Sequence, residues 1–148
     1  MEWVARVSIH RRGRGGSGVR GLVAARRILH DGSIYQPLDE DAVRECCRRL
    51  REQDVESVAI SLLFSFVNPV HELRIADIVA QEMPGVHISC SHQVLPRAPE
   101  YDRTSTTVVN AYVAPRVTSY LESLVARVKA AGYQKQLLVM QASGGVMS

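Results

Sequence analysis

Hydroxyl, amide and guanidinium groups are concentrated at one predicted helix start in this sequence. Arg103, Thr104, Thr106 and Asn110 stand where free backbone N–H groups and the positive dipole end of a helix favour anions. The Arg103 guanidinium can add a bidentate grip on a carboxylate or phosphate, and on a helix Arg103, Thr106 or Thr107, and Asn110 share one face. These residues are therefore candidates for lining a substrate cleft. Helix capping with interface packing is the alternative, although four successive Ser/Thr residues are poor helix formers.

A second candidate site follows the last predicted strand. Gln141, Ser143, Gly144 and Gly145 form a turn that resembles a backbone nest for a phosphate or a substrate carbonyl. The turn is not a complete P-loop, because no Gly-Lys-Ser/Thr sequence follows it. A simple turn is the alternative interpretation of these residues.

The sequence assigns no catalytic residue and no metal site. Cys46, Cys47 and Cys90 include no CxxC pair, and the five histidines form no HxxxH or HExxH pattern. No GxSxG segment marks a serine nucleophile. We therefore expect three reduced, structural thiols in a cytoplasmic protein.

Composition favours one modest globular domain. The chain has 148 residues, of which 46% are hydrophobic and 22% are charged, and its formal net charge is +3. The arginines of residues 6–27 could contact the phosphates of a nucleic acid, but no aromatic residues interleave with them, and this hypothesis ranks last. The sequence has no apolar run of about 18 residues and no secretory signal, so we expect no membrane association.

Periodicity predicts alternating strands and helices, and therefore an α/β fold. Residues 1–21 are Gly/Arg-rich and are expected to contribute nothing to a core. The first predicted elements are a hairpin about Asp31-Gly32, a helix over 40–53, a strand over 57–64 and a helix capped by Asn68 with Pro69 at its first position. A strand over 86–90, a loop over 91–99, a helix over 100–132 and a strand over 136–140 follow. We expect Pro115 to break or kink the long helix and Gly132 to cap its end.

Three apolar stripes define the expected buried faces of the helices. Their members are Val43, Cys46, Cys47 and Leu50 in the first helix, Leu73, Ala76, Ile78, Val79 and Met83 in the second, and Leu121, Leu124, Val125 and Val128 in the second half of the third.

An ordered set of motifs resembles the hydantoinase/oxoprolinase family. The set is more specific than any one of its members, covers about residues 33–148, fits 22–32 loosely and does not include 1–21. It comprises the apolar segment 59–66, Asn68-Pro69-Val70-His71-Glu72, Val94-Leu95-Pro96, Glu100-Tyr101-Asp102-Arg103-Thr104-Ser105-Thr106-Thr107, Asn110-Ala111-Tyr112-Val113-Ala114-Pro115 and the segment 138–148 with Ser143-Gly144-Gly145.

The resemblance implies a fold, a reaction and a set of ligands. Family members open cyclic amides such as 5-oxoproline with ATP, and related subunits serve in acetone carboxylation. Their fold is of the actin/hexokinase (ribonuclease-H-like) type, and they use Mg²⁺, usually a monovalent cation, and often a second hydantoinase-type subunit. By this resemblance, residues 33–99 end the N-terminal domain and residues 100–148 begin the hydantoinase A catalytic domain, with 1–32 a poorly matched lead.

The sequence also departs from the family pattern. A phosphate loop of the type Asp-x-Gly-Gly-Thr-x-Thr-Asp is missing, as is a second glycine-rich phosphate segment, and Ala142-Ser143 replaces the more typical Ser-Asn or Ser-Asp. We therefore expect a piece of an ATP-dependent cyclic-amide hydrolase that binds neither ATP nor Mg²⁺ and is inactive alone. The alternative is a non-catalytic interaction module or subunit piece that binds its partner through the helix of residues 100–131.

Overall fold

A computed structural model describes residues 6–11, 18–21, 28–136, 138–140 and 146–147 of the chain. The predicted alternation of strands and helices is confirmed. The elements are β1 (Arg6–Arg11), β2 (Gly18–Gly21), α1 (Glu40–Arg51), β3 (Val55–Ser61), α2 (Val70–Glu82), β4 (His87–Cys90), α3 (Ser91–Val94), α4 (Glu100–Ala130), β5 (Val139–Met140) and β6 (Val146–Met147).

Four strands form a mixed sheet in the order β2-β1-β3-β4. β1 runs antiparallel to both of its neighbours, whereas β3 and β4 are parallel, with Ser57 opposite His87 and Ile60 opposite Cys90. A parallel pair needs a crossover connection, and α2 supplies it. The carboxyl ends of β3 and β4 consequently lie at the same edge of the sheet.

Two parts of the Gly/Arg-rich segment 1–21 form strands of the sheet, residues 6–11 and 18–21. β1 pairs along β3, with Val7 opposite Ile60 and Ile9 opposite Val58. Alternating β-branched residues in this segment are typical of a strand, but the Gly/Arg-rich composition around them masked that pattern. Of the hairpin predicted around Asp31-Gly32, the structure describes a single antiparallel bridge between Ile28 and Ile34, and residues 22–27 lie outside the described residues.

The core lies between the sheet and the helices α1 and α2. The predicted buried face of α1 is confirmed, and the Asp39 side chain caps this helix by accepting from the Ala42 N–H at 3.0 Å. In α2 the buried row includes Ile75, Ile78 and Val79, whereas Leu73, expected to be buried, is 45% exposed. Pro69, rather than Asn68, occupies the N-cap position, although the Asn68 side chain still accepts from the Val70 N–H.

Two predicted boundaries near the sheet edge are wrong. The strand expected over 57–64 ends at Ser61, because a turn follows in which Phe64 has a φ of 58°. The segment 91–99, expected to be a loop, begins with the short helix α3. Both departures place polar groups at the carboxyl ends of β3 and β4.

α4 runs through Pro115, and the chain divides there into two compact units, 1–115 and 116–148. In the second unit, Gly132 caps α4 as predicted: its φ is +97°, and the N–H groups of Gly132 and Tyr133 donate to Lys129 O and Val128 O. The four apolar residues predicted to be buried along this half of α4 are only partly buried. β5 and β6 form an antiparallel pair, shorter than the predicted strand over 136–140.

Within the described ranges, no helix combines the length and apolar character that a membrane span requires.

We predict that Cys46, Cys47 and Cys90 react slowly with alkylating reagents in the native chain. All three thiols are free and buried, and burial raises the pKa of Cys46 to about 11 and that of Cys90 to about 12. The folded state therefore keeps these protons to a higher pH than the unfolded chain does. Their stabilising contribution is complete below pH 9 and declines as the pH rises towards 11.

Thiol labelling at pH 8, with and without denaturant, tests this prediction. We expect labelling of the three cysteines only after unfolding. Denaturant unfolding at pH 8 and pH 10.5 tests the second part, since a Cys46→Ala/Cys90→Ala variant should lose less stability over this interval than the wild type. Rapid labelling of the native chain would contradict the buried, protonated state.

Candidate functional site

Polar side chains converge at the sheet edge where β3 and β4 end. Leu62 follows β3, Ser91 and His92 follow β4, Glu72 lies in the first turn of α2 and Arg103 lies in the first turn of α4. In open α/β sheets, ligands bind beyond the carboxyl ends of the strands. The topology therefore makes this edge the candidate site.

Glu72 is the centre of this cluster and is completely buried. Its Oε1 accepts from the Leu62 N–H at 2.8 Å and from the Ser91 hydroxyl at 2.6 Å. Its Oε2 accepts from the His92 N–H at 3.0 Å and lies 2.7 Å from His92 Nδ1, which donates when that nitrogen is protonated. These contacts use the accepting capacity of the carboxylate, which is what a buried charge requires.

Arg103 is also completely buried, and protein groups occupy its guanidinium. Nε donates to Ser91 Oγ at 3.2 Å, Nη1 to the Arg97 carbonyl at 2.8 Å and Nη2 to the Leu62 carbonyl at 2.8 Å. The guanidinium carbon lies 5.2 Å from the centroid of the Phe66 ring, within cation–π range. Burial lowers the pKa of Arg103, against the opposing influence of Glu72 and Glu100, but an arginine stays charged.

Glu72 and Arg103 are joined through shared partners. The Ser91 hydroxyl donates to Glu72 and accepts from Arg103. Leu62 does the same with its backbone, since its N–H donates to Glu72 and its carbonyl accepts from Arg103. We call Glu72, Arg103, Ser91, His92 and the Leu62 backbone the Glu72–Arg103 network, which connects the starts of α2 and α4 to the ends of both parallel strands.

The structure separates the sequence-predicted candidates on α4 into inward and outward groups. Arg103 and Thr104 point inward, and Thr104 Oγ1 lies 2.8 Å from Ser61 Oγ. Asn110 donates to Ser89 Oγ at 3.0 Å, although much of the residue is exposed. Thr106 is exposed and is not on the buried row of Arg103, unlike Thr107, which is buried. The other candidates, Gln141, Ser143, Gly144 and Gly145, lie outside the described residues.

The first turn of α4 is poorly suited to hold an anion in the way the sequence suggested. Glu100 and Asp102 place negative charge there, and Arg103 directs its guanidinium to protein acceptors. The hydrogen bonds of Arg103 can instead fix the start of α4, and with it the positions of the exposed residues Thr106 and Asn110.

Sequence reasoning missed the three residues that complete the network. Glu72 was noted only as the last residue of the segment Asn68-Pro69-Val70-His71-Glu72, and Ser91 and His92 were assigned to a loop. One signal was available, because Glu72 is spaced three and seven residues from Ile75 and Val79 on the buried row of α2. A glutamate on such a row needs hydrogen-bond donors from elsewhere in the chain.

Glu72, Cys90 and His92 have possible ligand atoms within 4.8 Å of one another. The set does not suit Mg²⁺, which prefers oxygen ligands. Binding of any metal would break hydrogen bonds to Glu72 and deprotonate Cys90, whose thiol pKa burial raises to about 12. In the part of the chain that the structure describes, the glycines are also scattered and form no phosphate loop. The described residues therefore do not fit ATP or Mg²⁺.

Comparison with known proteins gives two matching family profiles. The hydantoinase/oxoprolinase N-terminal region matches residues 19–83, and the hydantoinase/oxoprolinase profile matches residues 103–148. Glu72 thus lies in the first matched region, and Arg103 is the first residue of the second. The Glu72–Arg103 network connects the two.

Individual relatives match across both regions. The caprolactamase alpha subunit of Pseudomonas jessenii is 42% identical over 120 residues, which are 81% of this chain and 17% of that subunit. The crystal structure of the ATP-dependent caprolactamase from Pseudomonas jessenii matches with a TM-score of 0.77 at 42% identity, over 81% of this chain and 17% of that one. A nucleotide-free acetone carboxylase structure matches with a TM-score of 0.71 at 32% identity, over 86% of this chain and 18% of that one. The chain therefore spans less than a fifth of the length of these relatives.

Proposed function

Since this chain belongs to the hydantoinase/oxoprolinase family, we propose that it is part of an ATP-dependent enzyme that hydrolyses a cyclic amide. The observation that carries the proposal is the 42% identity and the shared fold with an ATP-dependent caprolactamase. Caprolactam is a lactam, which is a cyclic amide. This likeness supports a cyclic amide as the substrate class.

The contribution of this chain to such an enzyme is structural and positional. The Glu72–Arg103 network joins the two matched regions at the carboxyl ends of β3 and β4. In this proposal, residues 33–99 complete the N-terminal domain and 100–148 begin the catalytic domain. ATP and Mg²⁺ belong to the whole enzyme, in the cytoplasm, and no described residue is assigned to them.

A subunit of an ATP-dependent carboxylase is the second candidate. The TM-score of 0.71 to acetone carboxylase favours it. Exposed Val109, Tyr112 and Val113 on α4 supply apolar surface for a partner subunit or for the remainder of the parent enzyme.

We predict that the whole product of this gene releases ADP when a cyclic amide is present, and that the 148-residue chain alone does not. The sequence contains no phosphate loop of the type Asp-x-Gly-Gly-Thr-x-Thr-Asp, and without that loop we expect the 148-residue chain not to hold the nucleotide for reaction. ADP release is measured with caprolactam, 5-oxoproline or hydantoin, and in parallel with acetone plus bicarbonate. Formation of the ring-opened product identifies hydrolysis.

Each outcome of this assay separates the candidates. ADP release with acetone and bicarbonate alone would favour the carboxylase. Cyclic-amide turnover by the isolated 148-residue chain would refute its predicted inactivity. The absence of nucleotide turnover with every substrate would overturn both enzymatic proposals.

A further inference from the structure

We infer that Arg103 is a positioning residue, which holds the start of α4 in place for the reaction of the parent enzyme. This inference rests on the proposed function. The Arg103 side chain is completely buried and cannot reach a substrate. It therefore acts through exposed residues that α4 carries, in particular Thr106 and Asn110.

The three acceptors of the guanidinium come from three different segments. Leu62 belongs to the turn after β3, Ser91 to α3 after β4, and Arg97 to the segment that enters α4. A planar guanidinium can bond all three at once, whereas a lysine ammonium is a single point charge on a flexible stem. Arg103 thus fixes the helix start relative to both parallel strands.

Further hydrogen bonds dock the same helix along the strands. Thr104 bonds Ser61 at the end of β3, and Asn110 donates to Ser89 in β4. Within the helix, the Thr107 hydroxyl donates to the Arg103 carbonyl at 2.6 Å. Loss of the Arg103 contacts leaves the first turn held by weaker neutral bonds, which permits the helix start to shift.

A small shift of this kind has a large effect on a reaction. A displacement of about 1 Å in a positioned group can lower a rate about 100-fold. Thr106 and Asn110 would move with the first turns of α4, while the core around Leu50 and Ile78 would stay packed. The consequence is a loss of turnover in a protein that remains folded.

The test compares Arg103→Lys and Arg103→Met with Arg74→Lys and Arg74→Met in the whole gene product. Arg74 is a matched control, since its guanidinium is likewise held by hydrogen bonds, two to Glu40 at 2.7 and 2.8 Å, but on the exposed surface of α1 and α2. We expect Arg103→Lys to lower kcat for the cyclic amide at least about tenfold, with a smaller change in KM, in enzyme shown by circular dichroism to be folded. We expect the Arg74 variants to retain wild-type kcat.

Hydrogen exchange of the backbone amides of residues 103–107 provides a readout independent of activity. We expect faster exchange there in both Arg103 variants and unchanged exchange in the Arg74 variants. Faster exchange in the Arg103 variants together with a wild-type kcat would show a structural role only, and would overturn the role in positioning for the reaction. A wild-type exchange rate together with a wild-type kcat would overturn the inference entirely. If the wild type turns over no cyclic amide, the proposed function fails, and exchange still decides whether Arg103 holds α4.

Discussion

Replacement of Glu72 by leucine is expected to lower the free energy of unfolding by about 3–5 kcal/mol, because it leaves buried hydrogen-bond donors without an acceptor and a buried positive charge without compensation. Leucine fills a similar volume but accepts no hydrogen bond. The Leu62 and His92 N–H groups and the Ser91 hydroxyl would each lose an acceptor, and the positive charge of Arg103 would lose the favourable coulombic influence of Glu72. Urea unfolding of the wild type and variant, followed by circular dichroism, measures the loss.

Two further variants make this prediction specific. Glu72→Gln keeps one accepting oxygen and should lose less stability than Glu72→Leu, although its amide N–H₂ group faces donors. Glu40→Gln removes an exposed carboxylate that pairs with Arg74, and we expect only a small fraction of the Glu72 effect because solvent screens that pair. If Glu72→Leu were no more destabilising than Glu40→Gln, the buried network would not stabilise this fold.

The elements that the sequence predicted correctly depend on short-range patterns. The buried face of α1 follows from the spacing of Val43, Cys46, Cys47 and Leu50, and the end of α4 follows from Gly132. Each of these signals acts within one or two helical turns. A single sequence displays such patterns completely.

The candidate site was only partly predictable, because its partners are distant along the chain. Glu72 bonds residues 10 and 19 positions away, and Arg103 bonds a carbonyl 41 positions away. In the sequence, an acid or an arginine in a first helical turn looks the same whether it faces water or the core. The same limit applies to β1, whose pairing with β3 joins segments about 50 residues apart.

α2 shows how one misassigned residue alters an expected face. The sequence grouped Leu73 with Ile78 on the buried side, but the structure leaves Leu73 45% exposed and Ile78 completely buried. The buried row that includes Ile75, Ile78 and Val79 also contains Glu72, a polar residue that an apolar stripe does not include. The buried face of α2 therefore combines the carboxylate of Glu72 with the apolar side chains of Ile75, Ile78 and Val79.

Ile78→Ala is therefore expected to lower the free energy of unfolding by about 2–5 kcal/mol, through lost burial and the cavity that remains. Leu73→Ala, its matched control on the same helix, should cost less than about 1 kcal/mol, because nearly half of the leucine surface is already in water. Urea unfolding of both variants measures the difference. Equal losses of stability in the two variants would mean that Leu73 lies in the core and that α2 is oriented as its sequence suggested. In that orientation Glu72 could not accept hydrogen bonds from the residues that follow β3 and β4.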